Sequence, residues 1–282
     1  MSPVVTIALL TLHEAVRRKL IAACAAITIG LVGLSAWGFD RLAHTASFTS
    51  GEVDVAIPQT LILFMFMFSF VVALSASAMA SPAISAEAES GVLLSILARP
   101  VRRSDVLLGK WLGLATVLLA YAAVVSFLEF AVVDWVSGFV PPDPVVVALY
   151  LFAEGAILLT LTLMLSTRLS AIATGVVAIA LFGASWLAGV VGSLGLAFKI
   201  SSLTTVGNVA RYILPTDGLW RGAIYYLEPQ SFVVQRLTNS HDSGGNPFFA
   251  QSPPAWGYLV WVGVWFLAVL VAGIVSFDRR EV

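Results

Sequence analysis

Six long apolar segments constrain what this chain can fold into. A helix needs about 20 apolar residues to cross the roughly 30 Å hydrocarbon core of a bilayer, since each residue adds about 1.5 Å. The third segment is over-long, so its cytoplasmic turn is predicted to extend below the lipid. We predict an all-α integral membrane protein with six transmembrane helices. The segments are Leu20–Trp37, Ile57–Ala80, Val106–Val136, Val145–Leu165, Ser170–Leu196 and Trp256–Phe277.

Composition supports this prediction and excludes some partners. Of the 282 residues, 59% are hydrophobic and 11% are charged, with a mean hydropathy of +0.96. Soluble domains carry about 25% charged residues. The net charge is -1, and the basic residues are scattered at segment ends, so the sequence gives no sign of a nucleic-acid partner. We expect one transmembrane domain over residues 1–282 in the cell membrane.

Positive charge predicts the orientation. Lys and Arg are enriched in the cytoplasmic loops of membrane proteins. With the N-terminus inside, ten basic residues lie on the cytoplasmic side: Arg17, Arg18, Lys19, Arg99, Arg102, Arg103, Lys110, Arg168, Arg279 and Arg280. Five lie outside: Arg41, Lys199, Arg211, Arg221 and Arg236. Both termini are therefore predicted to be cytoplasmic.

The longest polar interval between two apolar blocks is residues 81–111. Ser81-Pro82 is a good helix start, because Pro is tolerated at the first helical position. Pro100 disfavours helical geometry at the residue before it. We predict an amphipathic helix over 84–99 that is too short to span a bilayer and lies at the cytoplasmic surface. Its small or apolar stripe comprises Ile84, Ala88, Gly91 or Val92, and Leu94 or Ser95.

This interval resembles the loop between the second and third membrane helices of type-2 ABC exporter permeases. There, Glu-x-Glu-x-Gly, Leu residues, Pro, a basic residue and Gly-Lys form a coupling helix that docks on the ATP-hydrolysing subunit. Val92 stands where the family usually has Thr. The matching residues are Glu87, Glu89, Gly91, Leu93, Leu94, Leu97, Pro100, Arg102 or Arg103, and Gly109-Lys110. The resemblance implies an ATPase-coupling surface of Ile84, Glu87, Glu89, Gly91, Leu94, Leu97, Arg99, Pro100, Arg102 and Arg103. An ordinary connector whose charges only mark the membrane boundary is the alternative.

The N-terminal residues 1–19 are predicted to form an interfacial helix. Apolar residues over Val4–Leu12 precede the basic cluster Arg17-Arg18-Lys19. The resemblance implies the family's elbow helix at this place. The basic cluster is either a plain topogenic anchor or a contact with the ATPase.

Residues 197–255 are the outer segment with room for extramembrane structure. Helical patterning predicts helices over Ser201–Leu214 and Thr216–Leu227, the second with a Thr216-Asp217 cap. We expect these helices to lie at or dip into the outer leaflet, with Trp220, Tyr225 and Tyr226 in the headgroup layer. Residues Leu214–Leu227, LPTDGLWRGAIYYL, resemble the permease class that includes the nitrous-oxide-reductase maturation exporter. Its predicted apolar face is Leu219, Trp220, Ala223, Ile224 and Leu227.

Carboxylates within the spans are functional candidates, because ionisable groups in the membrane are costly. Glu129 and Glu154 lie at similar depth on two adjacent spans and are predicted to be able to meet across the hairpin. Such a pair suits a proton relay or a cation site. Alternatively, each faces a wet vestibule or a partner Tyr or Ser, such as Tyr121 or Ser126, and only tunes polarity. Asp134 is close enough to the exit to be solvated.

Two apolar features have alternative interpretations. The run Phe64, Met65, Phe66, Met67 and Phe68 suits a cavity lining that repacks around apolar ligands, or plain lipid contact and helix packing. Small residues in the fifth span permit close helix approach. With parts of spans one and two, this span is expected to form a homodimer seam, as the resemblance implies. The small residues are Gly175, Gly183, Ala184, Ser185, Ala188, Gly189, Gly192 and Gly195.

Other sites are disfavoured by spacing. The three histidines are far apart, so no metal site is expected, and no cofactor is expected. A phosphate-binding loop ending at Gly109-Lys110 would need Gly at position 104 and Ser or Thr at 111, which are Ser104 and Trp111. If transport is ATP-driven, the ATPase is another polypeptide.

The resemblance implies a permease subunit of an ATP-binding-cassette exporter that forms the substrate path. Its expected partners are two separate ATPase subunits, a second copy of this chain and membrane lipid. One alternative is a non-transporting scaffold or sensor that recruits a cytoplasmic partner. Another is an intramembrane enzyme, which would need Glu129 and Glu154 as a pair.

Overall fold

The computed structural model describes residues 2–17, 19–44, 50–91, 101–229 and 246–280. These ranges form ten α-helices and contain no strand. In chain order the helices are α1 (Pro3–Arg17), α2 (Lys19–His44), α3 (Ser50–Ala80), α4 (Pro82–Glu89), α5 (Arg103–Ser137), α6 (Pro144–Ser166), α7 (Ala171–Ala197), α8 (Ser201–Ile213), α9 (Thr216–Leu227) and α10 (Trp256–Asp278).

Six of these helices are long and apolar enough to cross a membrane: α2, α3, α5, α6, α7 and α10. Each contains one predicted segment, except that α7 begins one residue after the predicted Ser170, so the six-span, all-α prediction is confirmed. Helices α2 and α3 are longer than predicted, since α2 continues to His44 and α3 already begins at Ser50. The apolar stretch sets where a helix lies in lipid, but the helix itself continues into the polar interface. The over-long α5 has 35 residues, or about 50 Å at about 1.5 Å per residue.

The connections define two ends of the bundle. Arg103 at the start of α5 donates to the carbonyl of Phe277 at the end of α10 (2.9 Å). Arg280 donates to the carbonyl of Thr167, between α6 and α7 (2.9 Å). The start of α5, the connection between α6 and α7 and the end of α10 therefore lie on the same side of the bundle. Helix α4, which connects α3 to α5 in the chain, is on this side too, and we call it the α4 side. Helices α8 and α9 follow α7 on the opposite side, which we call the α9 side.

Helix α6 lies at the centre of the bundle. It contacts α3, α5, α7, α9 and α10. Leu151 and Leu158 of α6 are buried with Leu118 of α5 and Phe68 of α3. In contrast, α2, α7 and α10 leave most of their apolar surface uncovered, as Ile29, Ile172 and Val260 are 70%, 83% and 65% exposed. Lipid or another subunit must cover these outer helices.

Helix α1 crosses α5 at two glycines. A Cβ at Gly109 would lie 2.7 Å from Ile7 Cβ, and one at Gly113 would lie 2.6 Å from the carbonyl oxygen of Ala8. Both distances are too short for side chains, so the glycines let the two backbones approach closely. The described part of the predicted N-terminal helix thus packs against the third membrane span.

Helices α8 and α9 fold back onto α7. Gly192 of α7 and Gly207 of α8 face each other so closely that a Cβ on Gly192 would lie 2.9 Å from Gly207 Cα. Ser185 of α7 donates to the carbonyl of Leu214, between α8 and α9 (3.0 Å). Both predicted helices of this segment are confirmed. Of the predicted outer segment, residues 230–245 lie outside the described residues.

Two details of α9 were predicted wrongly. The residue that precedes α9 is Pro215, and no side chain caps the helix there. Asp217 instead binds two arginines, which satisfy its carboxylate better than exposed backbone amides do. Trp220 is 2% exposed and packs on Phe66 with ring centroids 5.6 Å apart, so it lies in the protein interior rather than in the headgroup layer. The residues of the predicted apolar face are all buried in the bundle.

Candidate coupling site

Helix α4 follows α3 with almost no interruption. Ser81 between them has helical backbone angles (φ -58°, ψ -44°), and Pro82 occupies the first helical position as predicted. The prediction of one continuous helix to residue 99 was wrong at Gly91, and residues 92–99 themselves lie outside the described residues. The helix ends at Glu89, and Gly91 has a φ of 75°, a left-handed conformation that stops a right-handed helix. Of the predicted coupling residues, Leu94, Leu97, Arg99 and Pro100 lie outside the described residues.

The apolar stripe of α4 faces the bundle. Ile84 is fully buried, and its neighbours Ala83 and Ser85 are also buried. The Ser85 hydroxyl donates to the carbonyl of Ser81 (2.9 Å), which adds a side-chain bond across the junction with α3. On this face α4 contacts α6 and α7. Its position is therefore fixed by packing against the membrane spans.

The two glutamates of α4 have different surroundings. Glu87 Oε1 lies 2.5 Å from Lys110 Nζ of α5, and the lysine side chain is only 6% exposed. Glu89 is exposed and makes no ion pair with the described residues. The motif residue Lys110 is thus an internal partner of the motif residue Glu87. Of the two, Glu89 is the one whose carboxylate is available to another protein.

The two arginines that follow are also distinguished by their contacts. Arg102 is exposed. Arg103 Nη1 approaches the carbonyl oxygens of Phe277, Asp278 and Arg280 at 2.9, 3.2 and 2.5 Å. A cation at this place satisfies the last carbonyls of α10 and suits the negative end of its dipole. Arg103 therefore holds α5 against α10, and Arg102 remains on the surface.

The buried carboxylates of the spans do not share a hydrogen bond. Glu129 of α5 is fully buried and accepts from the Ser35 hydroxyl of α2 (2.9 Å). Glu154 of α6 is 4% exposed and accepts from the Ser69 hydroxyl of α3 (2.8 Å). Each carboxyl group thus ties its helix to a different neighbour. The arrangement matches the alternative in which each has a hydroxyl partner, although Ser35 and Ser69 were not foreseen.

The aromatic run on α3 is split between packing and surface. Met65 and Phe68 are fully buried in the core, and Met67 is 47% exposed. Phe66 packs edge-to-face against Phe248, with 5.2 Å between ring centroids, and lies tilted against Trp186 at 5.1 Å. Phe64 lies 6.0 Å from Phe39 of α2 by ring centroids. These contacts are typical of helix packing, and a cavity-lining role for the run stays a prediction.

A lateral apolar groove of about 490 Å³ opens between α5, α6, α9 and α10. Its lining includes Trp111, Phe152, Leu219 and Phe266. The Trp111 indole donates to Thr160 Oγ1 (2.8 Å), so its polar atom is already used. Lipid chains are as apolar as these side chains, and the groove alone does not indicate which molecule occupies it.

Sequence reasoning missed the partner of Glu87 and one further polar cluster. Lys110 was noted only as part of a motif and as a positive charge, because pairing across 23 positions leaves no local signal. Arg211 and Arg221 were likewise counted as charges, whereas both bind Asp217 on the α9 side. The spacing of Asp217 and Arg221, four residues apart on a helix, was the available signal for that pair.

Comparison with known proteins agrees with this architecture. The model of the family described as ABC-2 family transporter protein matches residues 5–282. A search of curated proteins found no significant match. The family match covers nearly the whole chain, including all six spans and α4. The chain therefore belongs to the ABC-2 transporter family and is a transmembrane permease subunit of an ABC transporter.

Proposed function

We propose that this chain is the membrane subunit of an exporter and that its separate ATPase docks on the α4 side. Permeases of this family normally work with separate ATP-binding subunits. One observation carries the proposal. Helix α4 is held at Ser81 to α3 and through Glu87 to Lys110 of α5, while Glu89 stays exposed. A helix that is held against the bundle on one face and carries an exposed charge on the other is suited to bind a partner protein such as the ATPase.

The orientation follows from the distribution of charge. On this proposal the α4 side is cytoplasmic and both termini lie there. Ten of the fifteen basic residues of the sequence fall on that side, including Arg102, Arg168 and Arg279. Since Lys and Arg are enriched in cytoplasmic loops, the assignment places the ATPase in the compartment that supplies ATP. The membrane is the cell membrane.

Coupling would work through the two attachments of α4. When the ATPase subunits close, they displace the exposed surface around Glu89. The junction at Ser81 passes this displacement to α3, and the Glu87–Lys110 pair passes it to α5. Spans two and three then move relative to the rest of the bundle. Since interiors are closely packed, such a shift at one end is transmitted rather than absorbed.

The transport path is proposed to form between two copies of this chain. The outward faces of α2 and α7 carry large uncovered apolar residues, such as Ile29 (70% exposed) and Ile172 (83% exposed). The seam cannot use the whole glycine stripe of the fifth span, because Gly192 packs against Gly207 of the same chain. Gly183 has open space around it and lies in the part of α7 that remains available.

Reversing the charge of Glu89 tests ATPase docking separately from folding of the permease. In the purified complex we expect Glu89→Lys to reduce copurification of the ATPase by at least tenfold without lowering the unfolding temperature of the permease. The matched control is Asp278→Lys, which reverses another exposed carboxylate at the same end of the bundle, on α10. Full ATPase recruitment by the Glu89→Lys variant would contradict the proposal. Recruitment in the wild type without any ATP-dependent transport would favour a scaffold or sensor.

A further inference from the structure

A cluster of three charged side chains lies on the α9 side, far from α4. Asp217 Oδ2 binds Arg211 Nε of α8 at 2.7 Å and Arg221 Nε of α9 at 3.1 Å. The Asp217 side chain is 4% exposed, so its charge is held inside the protein. Two guanidinium groups share one carboxylate, and the cluster has a net charge of +1.

The two arginines are used differently. Arg221 also donates through Nη2 to the carbonyl of Gly189 (3.1 Å) and to the Ser193 hydroxyl (2.7 Å). It thus ties α9 to α7. Burial lowers the pKa of Arg221 and the Asp217 carboxylate opposes that shift, but an arginine remains charged in proteins. Arg211 donates only its Nε to the described residues, so both terminal nitrogens have no acceptor within that part of the chain.

Arg211 belongs to the wall of a cavity. The cavity has a volume of about 390 Å³, within the range of about 300–1,000 Å³ typical of small-molecule sites. It is open on one side, and Arg211 and Arg221 are the charged residues among its lining. The remaining lining is neutral: Asn208, Tyr212, Gly218, Ser252, Pro253, Pro254, Ala255 and Tyr258. A positive charge with unused donors in a neutral cavity favours an anion.

The walls of the cavity are held in place by hydrogen bonds. The Tyr258 hydroxyl lies 3.2 Å from the carbonyl oxygen of Pro215, and Gly218 leaves no room for a Cβ beside that hydroxyl. The indole of Trp261, one turn further along α10, donates to the carbonyl of Tyr212 (3.1 Å). These bonds attach the first turns of α10 to α8 and α9. The Arg211 guanidinium is therefore presented from a preformed wall.

The position of the cavity matches the headgroup layer. Pro254 and Ala255 immediately precede α10, which enters the membrane at Trp256. Trp256 is 83% exposed, as is typical of the aromatic belt at a membrane interface. An anionic group at this depth is reached both from the water and from the lipid leaflet.

We propose that this cavity binds a single anionic oxygen group, a phosphate or a carboxylate, through the terminal nitrogens of Arg211. The planar guanidinium suits such groups because two parallel N–H donors match two oxygens. The group is either the headgroup of an anionic lipid in the leaflet of the α9 side or a soluble anion. The site goes beyond ATPase docking, and its test does not depend on the ATPase.

Binding is measured on the full-length permease in nanodiscs. The first arm compares neutral phosphatidylcholine with mixtures that contain increasing phosphatidylglycerol, and follows the unfolding temperature and the lipid retained in native mass spectrometry. The second arm adds sodium phosphate or acetate to neutral nanodiscs at constant ionic strength. A response to phosphatidylglycerol alone identifies a lipid headgroup, and a response to the soluble ions identifies a free anion. A response to neither would overturn the proposal.

Variants of residues inside and outside the cavity lining test whether the anion binds in this cavity. Arg211→Gln is expected to weaken the apparent affinity at least tenfold, and Arg211→Lys, which keeps the charge but not the fork, by less. Lys199→Gln removes another exposed cation on the same side, outside the cavity lining, and should behave as the wild type. Because loss of Arg211 also removes an ion pair, Asn208→Trp provides an independent variant that fills the cavity without changing its charge. Wild-type binding in both Arg211→Gln and Asn208→Trp would refute the site.

Discussion

Lys110 Nζ lies 2.5 Å from Glu87 Oε1, and this contact joins α4 to the third membrane span. The lysine is buried on α5, and the second oxygen of Glu87 has no hydrogen-bond partner among the described residues. The ion pair therefore compensates the buried charge of Lys110. Glu87 and Lys110, two residues of the motif that resembles the ATPase-docking loop, therefore bind each other.

Replacing Lys110 by Met should destabilise the permease. The Glu87 carboxylate would lose its charged hydrogen bond, which is worth about 2 kcal/mol. Thermal unfolding in detergent measures the loss. Glu89→Gln is the control, because that carboxylate makes no ion pair with the part of the chain that the structure describes. The exchange Glu87→Lys with Lys110→Glu should restore part of the stability, and no recovery would show that the pair is not the cause.

Gly109→Ala should displace α1 from α5. The new methyl group would meet Ile7 Cβ at 2.7 Å and the carbonyl oxygen of Val4 at 2.9 Å, and backbone cannot yield as a side chain does. Overpacking of this kind costs about 1–3 kcal/mol. The unfolding temperature reports it, with Gly33→Ala as the matched helical control because that position has open space. Equal stability of both variants would mean that α1 does not pack here.

Gly192→Ala should separate α8 from α7 and lower stability by a similar amount, about 1–3 kcal/mol. The added carbon would lie 2.9 Å from Gly207 Cα. Gly263→Ala, on α10 with nothing within 4 Å of the added carbon, should leave the unfolding temperature unchanged. Crosslinking of the dimer supplies the second measurement: an effect of Gly192→Ala on dimerisation at unchanged stability would place the subunit seam on this stripe after all.

Glu129→Gln together with Glu154→Gln should retain stability and ATP-driven transport. An amide oxygen can still accept the hydroxyl hydrogen bonds of Ser35 and Ser69, so each helix contact is kept. Glu154→Leu should instead cost about 1–3 kcal/mol, since the buried Ser69 hydroxyl would lose its acceptor. If the double Gln variant is stable but inactive, the carboxyl groups carry a proton or a cation.

The parts of the fold that depend on apolar length were predictable. Six spans and the inward stripe at Ile84 follow from periodicity, and the apolar face of α9 was read residue by residue. Predictions based on polar residues close together in the sequence were less accurate. Asp217 was expected to cap α9, but two arginines bind it, one of them on a different helix. A tertiary ion pair outweighs a cap, and nothing in the local sequence shows that it is available.

The sequence predicted where the candidate coupling site lies, but not which of its residues contact each other. The motif around Glu87 and Glu89 located α4, but spacing alone gave both residues the same role. Only the position of Lys110 on a neighbouring helix distinguishes them. The predicted length of the helix failed at Gly91 for a similar reason, since the stripe continues in the sequence while the backbone adopts a left-handed conformation that only glycine takes easily.

Pro82 lacks a backbone N–H, so the carbonyl of Ala78 has no helical donor four residues later. The bond from the Ser81 amide to the Ser77 carbonyl is nevertheless kept (2.9 Å), and helical backbone continues from Ser50 to Glu89. At about 1.5 Å per residue this rod is about 60 Å long, twice the thickness of the hydrocarbon core. We expect a displacement of the exposed end of α4 to reach the middle of the membrane along α3. We expect bending to concentrate at Pro58 and Pro82, the two prolines of this stretch, since each lacks the N–H of a helical hydrogen bond.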